Sequence, residues 1–536
     1  MSDSSTLDFP QNDAASSAFA KAVSLHLDGK FAEALQEINR ALGNGSGTPQ
    51  LHAAKAHIQY ELQQYEEAAK SYQKVLNIDP GFAGAQLHLA LSLEKTGKWD
   101  QAADAFRKAL EAEPNRLEAM LGVAVCTLHL ERPEEALKSL DKVLEIDATN
   151  QTAIFGRAVA LQLLWKFDEA TEVYQKILKN KPDCEECLSN LVGIAMARKD
   201  HAVLREYSEA LLKVRPASQV ALEGLAACAF ASQDYAAAAR FCAKLVEYTP
   251  DQFDRWFNLA VAHQKLGQTA EAVKAYGEAI RIRPDAKQAH VNLGVLYQQS
   301  GDLTQARSCY ERALQIAPDL EDVLYNLAGV LEAQGANGLE GAKAEAERTY
   351  TRLLARNSEL EGAWFQLGYL RLEKRDYRSA VEAFGHCVFR RHDWPEAQLN
   401  LGLALWQSGD REGASKAFQA VLAIEPNSVD ALQGLAALAV EREEWEQALD
   451  YQAKLIELGE RTPELFYNTG LLLQKSGQVD DAVKLYREAL AERPDFAEAL
   501  LNLGHALKSL GQQDEARKCW KQAVAAKPEL AAGYFQ

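Results

Sequence analysis

An alanine that recurs every 34 residues over almost the whole length is the feature that most constrains the fold of this chain. The series is interrupted only by Leu204, and it resumes after six extra residues near position 340. A fixed period of this length is typical of a solenoid, in which each unit buries its apolar face by stacking on its neighbours. The recurring residues are Ala34, Ala68, Ala102, Ala136, Ala170, Ala238, Ala272, Ala306, Ala346, Ala380, Ala414, Ala448, Ala482 and Ala516.

Other places in the period keep the same phase and outline the unit. Gly or Ala stands twelve residues before the alanine place in fourteen of fifteen units, where two helices can approach closely. A large side chain often follows four residues after it, and a proline often follows twelve after it, where a helix can end. Each unit is therefore predicted to be a helix, a short turn and a second helix. Glycines that we expect to reverse the chain in these turns are Gly97, Gly267, Gly301, Gly335, Gly409, Gly477 and Gly511.

These residues resemble the tetratricopeptide repeat family. In the segment from Ala289 to Pro318, matches to the family pattern are Leu293, Gly294, Tyr297, Gly301, Ala306, Tyr310, Ala313 and Pro318. Phased on that segment, units begin at residues 15, 49, 83, 117, 151, 185, 219, 253, 287, 321, 361, 395, 429, 463 and 497. The resemblance implies an all-α fold, a right-handed superhelical α-solenoid of about fifteen helix-turn-helix units.

The pattern also suggests how the chain is organised. We expect a disordered polar tail at residues 1–14 and seven N-terminal units at 15–252. Eight C-terminal units follow at 253–530, with an insertion within 336–345, which surface loops tolerate at low cost. Residues 531–536 are predicted to be the start of an incomplete further unit, so we expect the chain to be a fragment or its end to be covered by a partner or a second copy.

Composition narrows the possible partners and compartment. A net charge of -18 repels phosphate backbones, and no basic stripe offsets it, so we expect no nucleic-acid binding. No run approaches the roughly 18 apolar residues of a membrane span. The N-terminus is polar and acidic, unlike a signal peptide. We therefore expect a cytoplasmic protein without membrane insertion.

Signals for chemistry are weak. No Gly-rich phosphate loop, nucleophile elbow or metalloprotease helix occurs, and the histidines are scattered without recurrent partners. Cys184 and Cys187 form a C-x-x-C, but a zinc site needs two more ligands and no second pair stands at a suitable spacing. The simpler interpretation is two incidental thiols. We expect no catalytic residue, no metal and no cofactor, and hence no enzyme.

A recurring amide in the first helices of the C-terminal units points instead to binding. Asn is a poor residue for a helix interior, so its repetition needs a reason. The series is similar to the asparagine ladder in the groove of O-linked N-acetylglucosamine transferase, which implies that these amides bind the backbone of an extended peptide. Gly434 breaks the series. Its members are Asn258, Asn292, Asn326, Gln366, Asn400, Asn468 and Asn502.

A purely structural interpretation stands beside that one, because an amide at this place can bond a neighbouring repeat or water. The distribution slightly favours function, since the first seven units carry Ala20, Ala54, His88, Gly122, Gly156, Asn190 and Gly224 instead. Aromatic residues just before the ladder would contact side chains of a ligand, unless they pack on the adjacent helix. These aromatic residues are Phe257, Tyr325, Phe365 and Tyr467.

Three functional hypotheses follow. The first is a non-enzymatic scaffold whose groove binds an extended segment of a protein partner. The second, which the glycosyltransferase resemblance implies, is the substrate-recognition arm of a larger enzyme truncated here. The third is a structural protein that self-associates through its C-terminal end. The identity of the partner does not follow from the repeats, because a shared fold does not specify a client.

Overall fold

The structure, a computed structural model, describes residues 13–43 and 47–530. These residues form thirty α-helices and contain no strand, which confirms the all-α prediction. Asp13 and Ala14 belong to the first helix. The rest of the tail predicted at 1–14, and the further unit predicted at 531–536, lie outside the described residues.

The helices alternate between a first and a second helix of each unit. The first helices are α1 (Asp13–Leu27), α3 (Pro49–Glu61), α5 (Ala85–Lys95), α7 (Leu117–His129), α9 (Gln151–Leu163), α11 (Glu185–Arg198), α13 (Gln219–Ala231), α15 (Phe253–Lys265), α17 (Lys287–Gln299), α19 (Glu321–Ala336), α21 (Glu361–Glu373), α23 (Pro395–Ser408), α25 (Val429–Glu441), α27 (Pro463–Lys475) and α29 (Ala497–Ser509). The second helices are α2 (Phe31–Gly43), α4 (Tyr65–Ile78), α6 (Trp99–Ala112), α8 (Pro133–Ile146), α10 (Phe167–Asn180), α12 (His201–Val214), α14 (Tyr235–Tyr248), α16 (Thr269–Ile282), α18 (Leu303–Ile316), α20 (Ala342–Leu354), α22 (Tyr377–Arg390), α24 (Arg411–Ile424), α26 (Trp445–Glu457), α28 (Val479–Glu492) and α30 (Gln513–Ala526).

Most first helices begin at the residue predicted from the alanine period. The exceptions are α1, which begins at Asp13, and α5, which begins at Ala85. The start of α5 is shifted because Gly84 precedes it with a φ of +74°, which is outside the helical region. Sequence phase alone therefore places the helices, and local backbone geometry adjusts their ends.

The turn glycines behave as predicted at six of seven places. Gly97, Gly267, Gly301, Gly409, Gly477 and Gly511 have φ between +71° and +93°. The prediction for Gly335 was wrong, because that residue lies inside α19. The six extra residues lengthen this helix, which has 16 residues against 13 in α17, and they form a loop in which Gly338 has a φ of +90°.

In most units the core is built around the eighth residue of the second helix, which we call the eighth-residue site; in α20 the corresponding residue, Tyr350, is the ninth, and we include it under the same name. Phe106, Tyr276, Phe384 and Phe418 occupy this site and are fully buried. A Cβ atom placed on Gly402 would lie 2.6 Å from the Phe418 ring, and one on Gly434 would lie 2.7 Å from the same ring. Small residues are thus required because the ring is clamped between two first helices.

By their internal contacts, the residues group into two compact units, Met1–Ala272 and Val273–Gln536. In the second unit α21 contacts α23, α23 contacts α25 and α27 contacts α29. Among the described residues no second helix makes comparable contact with the second helix of the next repeat. Successive repeats therefore approach more closely on the side of the first helices, which we call the inner wall of this stack.

Candidate functional site

The predicted amide series occupies one place in the structure, the sixth residue of a first helix. Asn258 lies in the first compact unit. In the second, the amides belong to the first helices α17, α19, α21, α23, α27 and α29. This sixth-residue series in the second unit comprises Asn292, Asn326, Gln366, Asn400, Asn468 and Asn502.

Some of these amides bond a tyrosine hydroxyl inside the protein. Asn292 Nδ2 donates to the hydroxyl of Tyr276, 2.9 Å away, and Asn292 Oδ1 accepts from Gln288 Nε2 at 3.0 Å. In the first unit, Asn190 Nδ2 donates to the Tyr174 hydroxyl at 3.0 Å in the same way. Burial raises the pKa of Tyr276 to about 12, so its neutral hydroxyl needs such partners.

The sequence pairs these tyrosines with the later amides at a fixed spacing, a signal that was not among the predictions above. Most tyrosines at the eighth-residue site are followed sixteen residues later by Asn. Two tyrosines differ: Tyr72 is followed by His88, and Tyr350 is followed by Gln366. Where the site carries a residue without a phenol, the later residue is often Gly. The tyrosine pairs are Tyr174 with Asn190, Tyr276 with Asn292, Tyr310 with Asn326, Tyr350 with Gln366 and Tyr486 with Asn502; the glycine pairs are Phe106 with Gly122, Leu140 with Gly156, Ser208 with Gly224 and Phe418 with Gly434.

Three ladder residues have no tyrosine sixteen residues before them. Asn258 follows Cys242, Asn400 follows Phe384 and Asn468 follows Gln452. Four of the seven ladder amides thus follow a tyrosine by sixteen residues, and in the described part of the chain Asn292 alone among these four donates to that tyrosine. For Asn258, Asn400 and Asn468 the tyrosine pairing gives no reason for an amide.

The remaining ladder amides differ in what they contact. Asn502 Nδ2 donates to the Tyr467 hydroxyl at 2.9 Å, and Asn400 Nδ2 donates to the backbone oxygen of Glu396 at 2.7 Å. Within the described parts of the chain, no side-chain hydrogen bond is formed by Asn258, Asn326, Gln366 or Asn468. Asn258 and Asn468 are exposed, whereas Asn326 and Gln366 are half-buried.

The aromatic residues beside the ladder pack largely on their neighbours. Phe365 stacks on Trp394, with ring centroids 4.7 Å apart, and Tyr467 lies 5.0 Å from Phe496. Tyr325 meets Tyr350 edge-on at 5.9 Å. Tyr325 nevertheless keeps 37% of its surface exposed, so it remains available to a ligand.

Phe257, the fourth aromatic residue predicted beside the ladder, lies in the first compact unit. It stacks on Phe253 with centroids 5.5 Å apart. Phe257 is half-buried, and both rings belong to α15, so this contact is local to one helix.

The cysteine pair belongs to a buried apolar cluster. Cys184 and Cys187 are both buried, with sulfur atoms 2.7 Å apart, and burial raises the pKa of Cys187. No group of three or more candidate metal ligands occurs in the described ranges.

Among the thirty helices, none combines the length and the apolar character needed to cross a bilayer.

Comparison with known proteins gives partial matches of several kinds. Human "Protein O-mannosyl-transferase TMTC1" is 27% identical over 165 residues, which are 30% of this chain and 18% of that protein. The crystal structure of MamA protein matches with a TM-score of 0.30 and 23% identity over 33% of this chain and 96% of that one. YrrB, titled "a TPR protein with an unusual peptide-binding site", matches with a TM-score of 0.33 and 21% identity over 37% of this chain and 98% of that one.

Family models give the broader result. Models described as "Tetratricopeptide repeat" match residues 87–151, 257–321, 399–463 and 473–534. One described as "TPR repeat" matches residues 56–97. These segments together cover more than half of the chain, and they agree with the paired helices, the turn glycines and the buried eighth-residue site. The chain belongs to the tetratricopeptide repeat family.

Proposed function

We propose that this protein is a non-catalytic scaffold whose second compact unit binds an extended segment of a protein partner along its inner wall. Repeats of this family support a protein-interaction scaffold in general. The finer proposal concerns which surface binds and how. It rests on the amides that the protein's own packing does not use.

The observation that carries the proposal is the state of Asn400 and Asn468. Both lie at the sixth residue of an inner-wall helix, and neither follows a tyrosine that would need it. Asn468 is exposed and Asn400 bonds only a carbonyl of its own helix. A primary amide provides a donor and an acceptor, which match the C=O and N–H of an extended backbone. Two such amides, two repeats apart on one wall, would hold a segment without regard to its sequence.

Asn326 and Tyr325 extend this surface on α19. Asn326 has no side-chain hydrogen bond among the described residues. Tyr325 stands beside it with a partly exposed ring, which would supply apolar burial that backbone hydrogen bonds do not. Asn292 and Asn502, in contrast, already bond tyrosine hydroxyls, so we assign them first to stability.

The test compares two triple variants of the full chain used as bait for partner capture. The groove variant carries Asn326→Ala, Asn400→Ala and Asn468→Ala. The control carries Gln419→Ala, Gln447→Ala and Gln522→Ala, which remove three exposed amides from second helices. A partner segment mapped from the captured protein is then titrated against each variant by fluorescence anisotropy.

We expect the control to bind like the wild type. The groove variant should lose roughly 1 kcal/mol for each amide contact, which is about a hundredfold in affinity for three. Circular dichroism should show the same helical content in all three proteins. If the groove variant retains full affinity while it is folded, the inner-wall proposal is wrong.

A further inference from the structure

One eighth-residue site in the second compact unit lacks an aromatic ring. In α26 this site holds Gln452, whereas α24 and α28 hold Phe418 and Tyr486. A cavity of about 520 Å³ opens at Gln452, and it is lined on opposite helices by Ala436 and Asn468. The cavity therefore lies at the place that a ring fills in the neighbouring repeats.

The flanking residues confirm that correspondence. The Phe418 ring is held between Gly402, the eighth residue of α23, and Gly434, the sixth residue of α25. Ala436 is the eighth residue of α25 and Asn468 is the sixth residue of α27. The same two places thus line the cavity from two helices, and between them α26 supplies Gln452 where the neighbouring repeats supply a ring.

A buried acceptor forms part of the cavity wall. Gln452 is 6% exposed, and its Oε1 atom has no hydrogen-bond partner in the described part of the chain. A buried amide oxygen without a donor is costly, so the site favours an occupant that brings an N–H or O–H group. Asn468, on the opposite wall, offers a further donor and acceptor.

Charges around the cavity narrow the occupant further. Glu441, Glu460 and Glu464 line it, and of these Glu441 accepts from Arg411 and Glu464 from Arg493. These carboxylates oppose an anionic occupant such as a phosphorylated side chain. Lys475, whose Nζ lies 4.3 Å from the centre of the Trp445 ring, also lines the cavity and opposes a cationic one. A neutral group fits both constraints.

The protein itself shows how a neutral aromatic donor is held at such a junction. Tyr486 donates its hydroxyl to Gln474 Oε1 at 2.8 Å, and Tyr310 donates to Gln298 Oε1 at 2.7 Å. The Tyr276 hydroxyl accepts from the sixth-residue amide of Asn292. Tyr174 makes both kinds of bond, since its hydroxyl donates to Gln162 Oε1 at 3.1 Å and accepts from Asn190 Nδ2 at 3.0 Å.

We propose that the cavity at Gln452 accepts a tyrosine side chain of the bound partner. The ring would lie between Ala436 and Asn468, and its hydroxyl would donate to Gln452 Oε1 and accept from Asn468 Nδ2. This inference rests on the proposed peptide-binding function, because the cavity would select a side chain from a segment held along the inner wall. It makes the junction of α25, α26 and α27 a specificity pocket for tyrosine.

The pocket is tested on the purified full chain with small probes, so the test does not require the partner. The probes are p-cresol for tyrosine, toluene for phenylalanine, p-cresyl phosphate for phosphotyrosine and n-butylammonium for lysine. Methyl NMR signals of Val440, Leu455 and Leu472, which line the cavity, report binding. We expect p-cresol to bind about three- to tenfold more tightly than toluene, the value of one net hydrogen bond. We expect weaker binding still for the two charged probes.

A second cavity in the chain serves as an internal control. It has a volume of about 390 Å³ and lies at the eighth-residue site of α8, where Leu140 replaces the ring. Its lining is largely apolar, including Leu121, Phe155 and Val159. The preference for p-cresol over toluene should be smaller there than at Gln452.

Two variants separate the possible outcomes. Gln452→Leu should keep toluene binding and lose the preference for p-cresol, and Gln452→Tyr should fill the cavity and abolish binding of both. Absence of p-cresol binding to the wild type, equal binding of toluene, or tighter binding of n-butylammonium would each overturn the tyrosine pocket. The groove proposal fails by a different result, namely unchanged partner affinity in the triple asparagine variant.

Discussion

A buried tyrosine hydroxyl and the side chain sixteen residues later are associated in the sequence of this chain. Phenylalanine at the eighth-residue site can be followed by glycine, as Phe418 is by Gly434, because its ring has no polar atom to satisfy. Tyrosine at the same site brings a hydroxyl that burial deprives of water, and it is followed by an amide or an imidazole. Conservative exchanges between these two aromatic residues should therefore have unequal effects.

We predict that Phe384→Tyr is tolerated and that Phe418→Tyr is not. A hydroxyl at position 384 can be met by Asn400 sixteen residues later, whereas at position 418 the corresponding residue is Gly434. The first variant should lie within about 0.5 kcal/mol of the wild type, and the second should lose about 1–3 kcal/mol. Local opening free energies from native-state hydrogen exchange in α22 and α24 measure both. Equal losses would show that the amide does not satisfy the hydroxyl.

His88 takes the place of the amide beside Tyr72 and should make the first unit sensitive to pH. Its ring stacks on Tyr72, with centroids 5.5 Å apart at 15°. Burial, with a smaller contribution from His57, lowers the pKa of His88 below its usual value. The unfolded chain then binds the proton more readily than the folded one. The resulting stability is present above about pH 6.5 and is lost as the pH falls toward the lowered value.

We therefore expect the opening free energy of α5 to fall between about pH 7.5 and 5.5, after correction for intrinsic exchange rates. In His88→Asn this slope should be reduced, because an amide does not titrate and can bond the Tyr72 hydroxyl as Asn190 bonds that of Tyr174. Helix α13, which contains no histidine, is the reference in the same experiment. A slope that persists unchanged in the variant would assign the pH dependence to another group.

At the scale of helices and turns, the period of the sequence predicts more than single residues do. The small residue at position eight of a first helix and the glycine in the turn each repeat, so their phase predicts where helices begin. The turn conformation is set by the packing of the two helices, which local sequence does not reveal. Residues other than glycine thus adopt the same positive φ in seven turns: Gln63, Glu131, Trp165, Lys199, Gln233, Arg375 and Glu443.

The candidate site was less predictable than the fold for a related reason. The repeat phase places Asn292 and Asn468 at the same position of their helices. It does not show that the Asn292 amide bonds the Tyr276 hydroxyl, whereas the Asn468 amide is exposed. Likewise, Phe365 was expected beside the ladder, yet its stacking on Trp394 depends on how two loops and helices meet. Contacts between repeats decide whether a ladder side chain is free to bind a ligand, and the pattern of a single repeat does not contain those contacts.

The mixed turns give a matched pair of substitutions. Gln63→Gly should stabilise the turn between α3 and α4, since Gln63 has a φ of +60° that costs a residue with a Cβ atom. Gly97→Gln, at the corresponding turn between α5 and α6, should destabilise it, because Gly97 has a φ of +71°. We expect changes of about 1 kcal/mol of opposite sign in local opening free energy. Changes of the same sign in both variants would mean that the φ angle of the turn residue does not control the stability of these turns.

Over the whole molecule, stability should be a sum of local terms. In each compact unit the main contacts join helices that are adjacent or next but one along the chain. Such a stack behaves nearly as a one-dimensional array, in which a lost core contact weakens its own repeat and the neighbours. A single unfolding free energy therefore describes it poorly, and the effects of paired substitutions become the informative measurement.

We predict that Phe384→Ala and Phe418→Ala are coupled, whereas Phe106→Ala and Phe418→Ala are additive. Each ring is fully buried, so each single change should cost about 3–5 kcal/mol in its own repeat. The apolar clusters around Phe384 and Phe418 both include residues of α23, and that shared helix should produce a coupling of about 0.5–3 kcal/mol. Phe106 belongs to a cluster in the first unit that shares no residue with the clusters of Phe384 and Phe418. The free-energy changes of Phe106→Ala and Phe418→Ala should therefore add to within about 0.5 kcal/mol.

Hydrogen exchange in α6, α22 and α24 of the single and double variants measures all of these free-energy changes. Strong coupling between Phe106 and Phe418 would contradict a stack held together by nearest neighbours.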